Sequence, residues 1–95
     1  MSDPDPVDRA LERSILDLLA VRGPAKTICV SEAARAVHAA RGGEGEGWRE
    51  LMEPARQAAG RLVETGEVVI TQRGTLVDLE TVSGPIRVGL RQPGV

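Results

Sequence analysis

At 95 residues, with a formal charge of -2 from 12 basic and 14 acidic side chains, the chain is expected to fold as one small domain and lacks the basic excess of a strong nucleic-acid binder. Hydrophobic residues make up 41%, yet Trp48 is the only aromatic, so the core must be aliphatic and a single-strand platform of stacked aromatics is excluded. No apolar run reaches the roughly 18 residues of a membrane span, the acidic start "MSDPDPVDRA" is unlike a secretory signal, and Cys29 alone cannot form an internal disulfide, so a cytoplasmic protein without membrane contact is expected.

Residues 1–5 are expected to be a flexible N-terminus, residues 6–91 a single domain and residues 92–95 a tail. In "DPDPVD", Asp5 is placed as a helix N-cap and Pro6 as the first helical residue. Leu11, Ile15, Leu18 and Leu19 recur at helical spacing, and the helix is expected to stop at Gly23-Pro24. "KTIC" reads as a brief strand. Ser31 is placed as the cap of a second helix, with Glu32 in its first turn and Ala33, Ala34, Val37 and Ala40 turned inward. "RGGEGEG" has four glycines in seven residues and no apolar anchor, which predicts a mobile surface loop. "WREL" reads as a turn of helix, and Pro54 to Thr65 as a third helix with Ala55, Ala58, Ala59, Leu62 and Val63 on its apolar face. "EVVITQ" is a strand, "RG" a turn, "TLVD" a short strand and "IRVGL" a last strand.

The stretch "GPAKT" raises the possibility of a phosphate-binding loop, but the pattern fails. Such a loop needs a glycine immediately before the lysine and another five residues earlier, where this chain has Ala25 and Ala20. Cys29 and His38 are the only residues of their kinds, so zinc sites built from several Cys and His are unavailable. His38 falls roughly 10 Å along the helix that starts near Cys29, too far for a dyad. Cys29 therefore reads as a structural thiol and His38 as a residue of the helix C-terminus. Asp78 and Glu80 are paired by spacing alone. The expectation is no enzyme, no metal and no cofactor.

The order helix, strand, helix, helix, strand, wing, strand is that of a winged helix-turn-helix. The fold class expected is α+β, mainly α, with three helices and a small antiparallel β-wing. The segments "ILDLLAVRGPAKTICVSEAARAV", "WRELMEPARQAAGRLVETGEVVITQRG" and "VDLETVSGPIRV" together resemble a small bacterial family of winged-helix-like domains of uncharacterised function. The resemblance covers nearly all of residues 10–91, and Val30 stands where that family would have proline. It implies the fold and leaves function to the residues.

Two readings follow. In the first, duplex DNA is bound by Arg49, Arg56, Gln57 and Arg61 on one exposed side of the third helix, with Arg73 at the wing; Arg and Gln suit guanine and adenine edges. Against it, Ser31 to Thr65 holds five arginines and six glutamates, and the connection from Ala40 to Trp48 exceeds the usual helix-turn-helix turn. In the second, the same surface docks another protein, with Trp48 as an anchor. Trp48 also has a plainer role, holding the glycine-rich loop against the third helix.

Overall fold

The computed structural model describes residues 6–91. Asp5, placed above as a cap, and the two terminal segments lie outside them. The elements run α1 (Pro6–Arg22), β1 (Thr27–Cys29), α2 (Val30–Ala40), a 3-10 turn (Gly47–Leu51), α3 (Met52–Glu64), β2 (Val68–Gln72), β3 (Thr75–Leu76) and β4 (Arg87–Leu90). This is a mixed α+β fold, mainly helical, with three α-helices and a four-stranded antiparallel sheet.

α1 starts on Pro6, whose ring fixes a helical φ where no intrahelical N–H bond is required. It ends where Gly23 takes a φ of 101° and donates its N–H to the Leu19 carbonyl at 2.9 Å. β1 then runs directly into α2. The cap of α2 is Cys29, not Ser31, and Val30 is already helical. The Glu32 carboxylate accepts the Cys29 N–H at 2.7 Å, so this amide is satisfied from within the first turn.

α3 begins at Met52, two residues ahead of the expected start, and Pro54 sits inside its first turn. A proline is harmless there because the first amides of a helix have no intrahelical acceptor. Of the five residues expected on its apolar face, Ala55, Ala58, Ala59 and Leu62 are buried, whereas Val63 is 39% exposed. Val63 lies about 100° beyond Leu62 around the helix, past the edge of the buried arc.

The strand order is β1-β4-β2-β3. The register sets Ile28 beside Val88 and Val88 beside Ile70, a row across three strands whose members are all buried. This row closes over Leu11, Ile15 and Leu19 of α1, Ala33, Ala34 and Val37 of α2, and the alanines of α3. The alanines allow the helices to approach closely, which is how a core without a fully buried aromatic fills its space. The β2–β3 hairpin turns on Arg73 and Gly74, at φ 54° and 81°, as a tight two-residue turn requires.

The 77–86 segment, between β3 and β4, is tied down. Gln72 Nε2 donates to the Ser83 and Pro85 carbonyls at 2.7 and 3.1 Å. Gly60 lets Leu79 settle on α3, because a β-carbon at that position would stand 3.0 Å from Leu79 Cδ2. Among the described residues no helix is long and apolar enough to cross a membrane.

Candidate functional site

The residues expected to share one binding face are distributed over three surfaces. Arg56 and Arg61 are five positions apart, about 140° around an α-helix of about 3.6 residues per turn. Arg61 turns toward α1, where its Nε donates to Glu12 Oε2 at 3.0 Å. Both side chains of that pair are largely buried, at 32% and 25% exposure. Arg61 therefore joins α1 to α3 rather than facing solvent beside Gln57. Arg56, on the other flank of α3, is half-buried and donates from Nη2 to the Val82 carbonyl at 3.2 Å. Gln57 is exposed on the outward arc of α3 between them, and Arg73 is exposed at the tip of the β2–β3 hairpin. Glu53 and Glu64 are exposed on the same outward arc as Gln57.

Arg49 has a neighbour that spacing did not reveal. The Trp48 ring packs half-buried against the core, and two guanidinium groups lie over it. Arg35 Cζ of α2 stands 4.3 Å from the ring centroid and Arg49 Cζ of the 3-10 turn stands 5.0 Å from it. Both arginines are exposed. Arg49 also pairs with Glu46 at 3.3 Å, a solvent-screened contact worth little. The indole thus joins α2 to the turn that leads into α3, and it holds two cations at the surface.

A cleft of about 410 Å³ opens between the start of α2, the start of α3 and the 84–86 segment. Val30, Met52, Pro85 and Ile86 make its walls mainly apolar, with Cys29, Ser31, Glu53 and Arg56 as polar members.

Behind the cleft lies a polar cluster at the start of α2. Arg22 is ion-paired with Glu32, donating from Nη2 to Oε1 and, at 3.0 Å, from Nη1 to Oε2. The Arg22 hydrogen bond, opposed by partial burial and assisted by the Cys29 N–H and the charges of Arg22 and Arg87, holds the Glu32 carboxyl below the ordinary carboxylate range. Arg87 donates to Thr27 Oγ1 at 2.9 Å, to the Thr27 carbonyl at 3.0 Å and to Cys29 Sγ at 2.6 Å. Cys29 is therefore an acceptor in a structural network. His38 is occupied elsewhere: its Nε2 donates to the Glu44 carbonyl at 3.2 Å. Asp78 Oδ1 accepts the Glu80 N–H at 2.9 Å, a local turn contact and not a pair of facing carboxylates.

One family model matches residues 8–91, almost all of the described chain. The chain belongs to the DUF3253 family, proteins of unknown function. A comparison with curated proteins found no match. The matched span takes in all five residues first singled out, together with Arg35 and Trp48.

Proposed function

We propose that this DUF3253 chain is a non-enzymatic winged-helix module that binds duplex DNA by its phosphates. The surface is formed by α2, the 3-10 turn and the start of α3, with Arg73 on the hairpin as an outlying contact. The element order supports the winged-helix part: α2 and α3 follow a first short strand, the β2–β3 hairpin stands as the wing, and β4 returns between β1 and β2. A lone thiol suits the reducing cytoplasm, where such a module would meet DNA.

The observation that carries the binding reading is the stack of Arg35 and Arg49 on Trp48. A guanidinium held by its flat face keeps its five N–H donors directed outward in a rigid fork, suited to a phosphate. The stack also restricts the two side chains beforehand, so less freedom is lost on binding. Arg56 is the third cation of this surface. The carboxylates of Glu53 and Glu64 keep the middle of α3 from lying deep against phosphates, which makes binding weak, salt-sensitive and poor in base readout. Gln57 is the one side chain of that arc suited to a base edge.

Trp48 provides the assay, since the chain has no other aromatic residue. Random-sequence duplex should change its fluorescence at low salt, with affinity falling as salt rises by a slope of about 0.9 per phosphate engaged. Absence of binding at low salt, where screening is least, would move the reading to protein docking. The apolar walls of the cleft between the starts of α2 and α3 favour that second reading.

A further inference from the structure

α1 carries a second stripe, apart from the Leu11, Ile15 and Leu19 that fill the core. Ala10, Ser14, Asp17 and Val21 follow at intervals of four, three and four residues, the spacing of a helix–helix seam. Val21 at its end is 87% exposed, the highest value among the large exposed hydrophobics of the described residues. The stripe forms one wall of a cleft of about 450 Å³, and Ala36 and Ala40 of α2 line the other. A single exposed valine is ordinary; one that ends a seam unpartnered among the described residues, beside an apolar cleft, is not.

We propose that this face packs against a second copy of the chain, with the two α1 helices antiparallel. The stripe is complementary to its own reverse. Turning it about the midpoint between residues 15 and 16 sets Ala10 opposite Val21 and Ser14 opposite Asp17. The large side chain meets the small one, and the Ser14 hydroxyl donates to the opposing carboxylate. Arg13, which lies 3.7 Å from Asp17 in its own chain, comes one residue from the Asp17 of the other copy, so each carboxylate has a cation on both sides. A parallel pairing would bring Asp17 against Asp17, two like charges at the centre of the seam, and has no such compensation. The alanines of α2 leave room for Val21 of the second copy to enter the cleft.

Sedimentation equilibrium on the full chain, from micromolar to millimolar, should show the mass rising from 10.1 kDa toward twice that value. Val21→Asp should weaken association at least about tenfold, since roughly 1.4 kcal/mol of lost apolar contact is enough for that factor. Its unfolding transition at dilute concentration should differ from that of the unmodified chain only by the small cost of an acidic side chain in the last turn of a helix, because Val21 is 87% exposed. Asp17→Arg should also weaken association, and combining it with Arg13→Asp should restore it. In a Cys29→Ser background, Ala10→Cys with Val21→Cys should give a disulfide-linked dimer on mild oxidation. Those two positions are about 16 Å apart along one helix, too far to close within a chain. A chain that stays at 10.1 kDa up to millimolar concentration overturns the proposal. So does a dimer unaffected by Val21→Asp, or one that Val21→Cys alone cross-links, which would mean a parallel seam.

Discussion

Gly43→Ala separates a glycine used for slack from one used for clearance. A β-carbon built on Gly43 would stand 2.2 Å from His38 Cε1 and 2.4 Å from each ring nitrogen, well inside contact distance. Gly43 is not among the positive-φ glycines, so alanine brings no backbone strain. Its smaller unfolded-state entropy alone would stabilise the chain by about 0.4–1 kcal/mol. Against this, the imidazole must swing out, an overpacking cost of about 1–3 kcal/mol. The contact from His38 Nε2 to the Glu44 carbonyl is lost with it, about 0.5–1.5 kcal/mol more. The net expectation is a destabilisation of about 1–3 kcal/mol, with each kcal/mol lowering the melting temperature by roughly 4–8 °C in a domain of this size. In a His38→Ala background the ring is absent, and the same substitution should be neutral or stabilising. Thermal and urea unfolding of the four chains of this cycle measure the coupling directly. Equal losses from Gly43→Ala in both backgrounds would refute the clearance argument.

Leu62→Ala, at a site only 2% exposed, should cost about 2–5 kcal/mol by urea unfolding. Arg61→Ala should cost about 1 kcal/mol because it strands the partly buried Glu12; a loss within about 0.5 kcal/mol, the usual range for a solvated site, would contradict its tie to α1. Glu32 has a folded pKa below its ordinary 4.5, so its contribution to stability is present above that value and is lost as pH falls toward the lowered one. The melting temperature of the unmodified chain should therefore fall more steeply below pH 4.5 than that of Glu32→Gln, and equal slopes would contradict the Arg22 contact. Arg35→Ala and Arg49→Ala should each reduce the salt slope of duplex binding by about one unit, while Arg61→Ala leaves it unchanged.

Much of the fold was legible because its boundaries are local. Pro6 and Gly23 delimit α1 by their own backbone preferences, and the alternation in "IRVGL" marks a strand with one buried face. The start of α2 was misplaced because its cap depends on Glu32 reaching back to the Cys29 amide, with Arg22 from a different helix holding the carboxylate in place. Neighbouring residues cannot announce that arrangement. The glycines of residues 41–47 read as slack by composition. Gly42 and Gly45 do occupy left-handed conformations, at φ 80° and 65°, but Gly43 and Gly47 leave space for His38, a residue assigned only to the helix end. Nor does spacing reveal Arg35 over Trp48, since the contact spans the loop it helps to fold back.

The arginines explain why the expected face of α3 divided. Composition counts each of the eleven as a cation available to a phosphate, but a guanidinium is also a planar fork that can satisfy carbonyl oxygens from two directions. Arg22 and Arg87 both donate to the Thr27 carbonyl, closing the outer edge of β1 and joining it to α1 and β4. Arg56 secures the 77–86 segment through Val82, and Arg61 secures α1 through Glu12. In a chain with one lysine and eleven arginines, it is arginine that fastens these elements distant in sequence. Among the arginines of α2, the 3-10 turn and α3, those whose charge lies over a ring, not on a carbonyl or a half-buried carboxylate, are the freest for a partner. By that criterion Arg35 and Arg49 outrank Arg61, and the surface they share with Trp48 is where a phosphate would be met first.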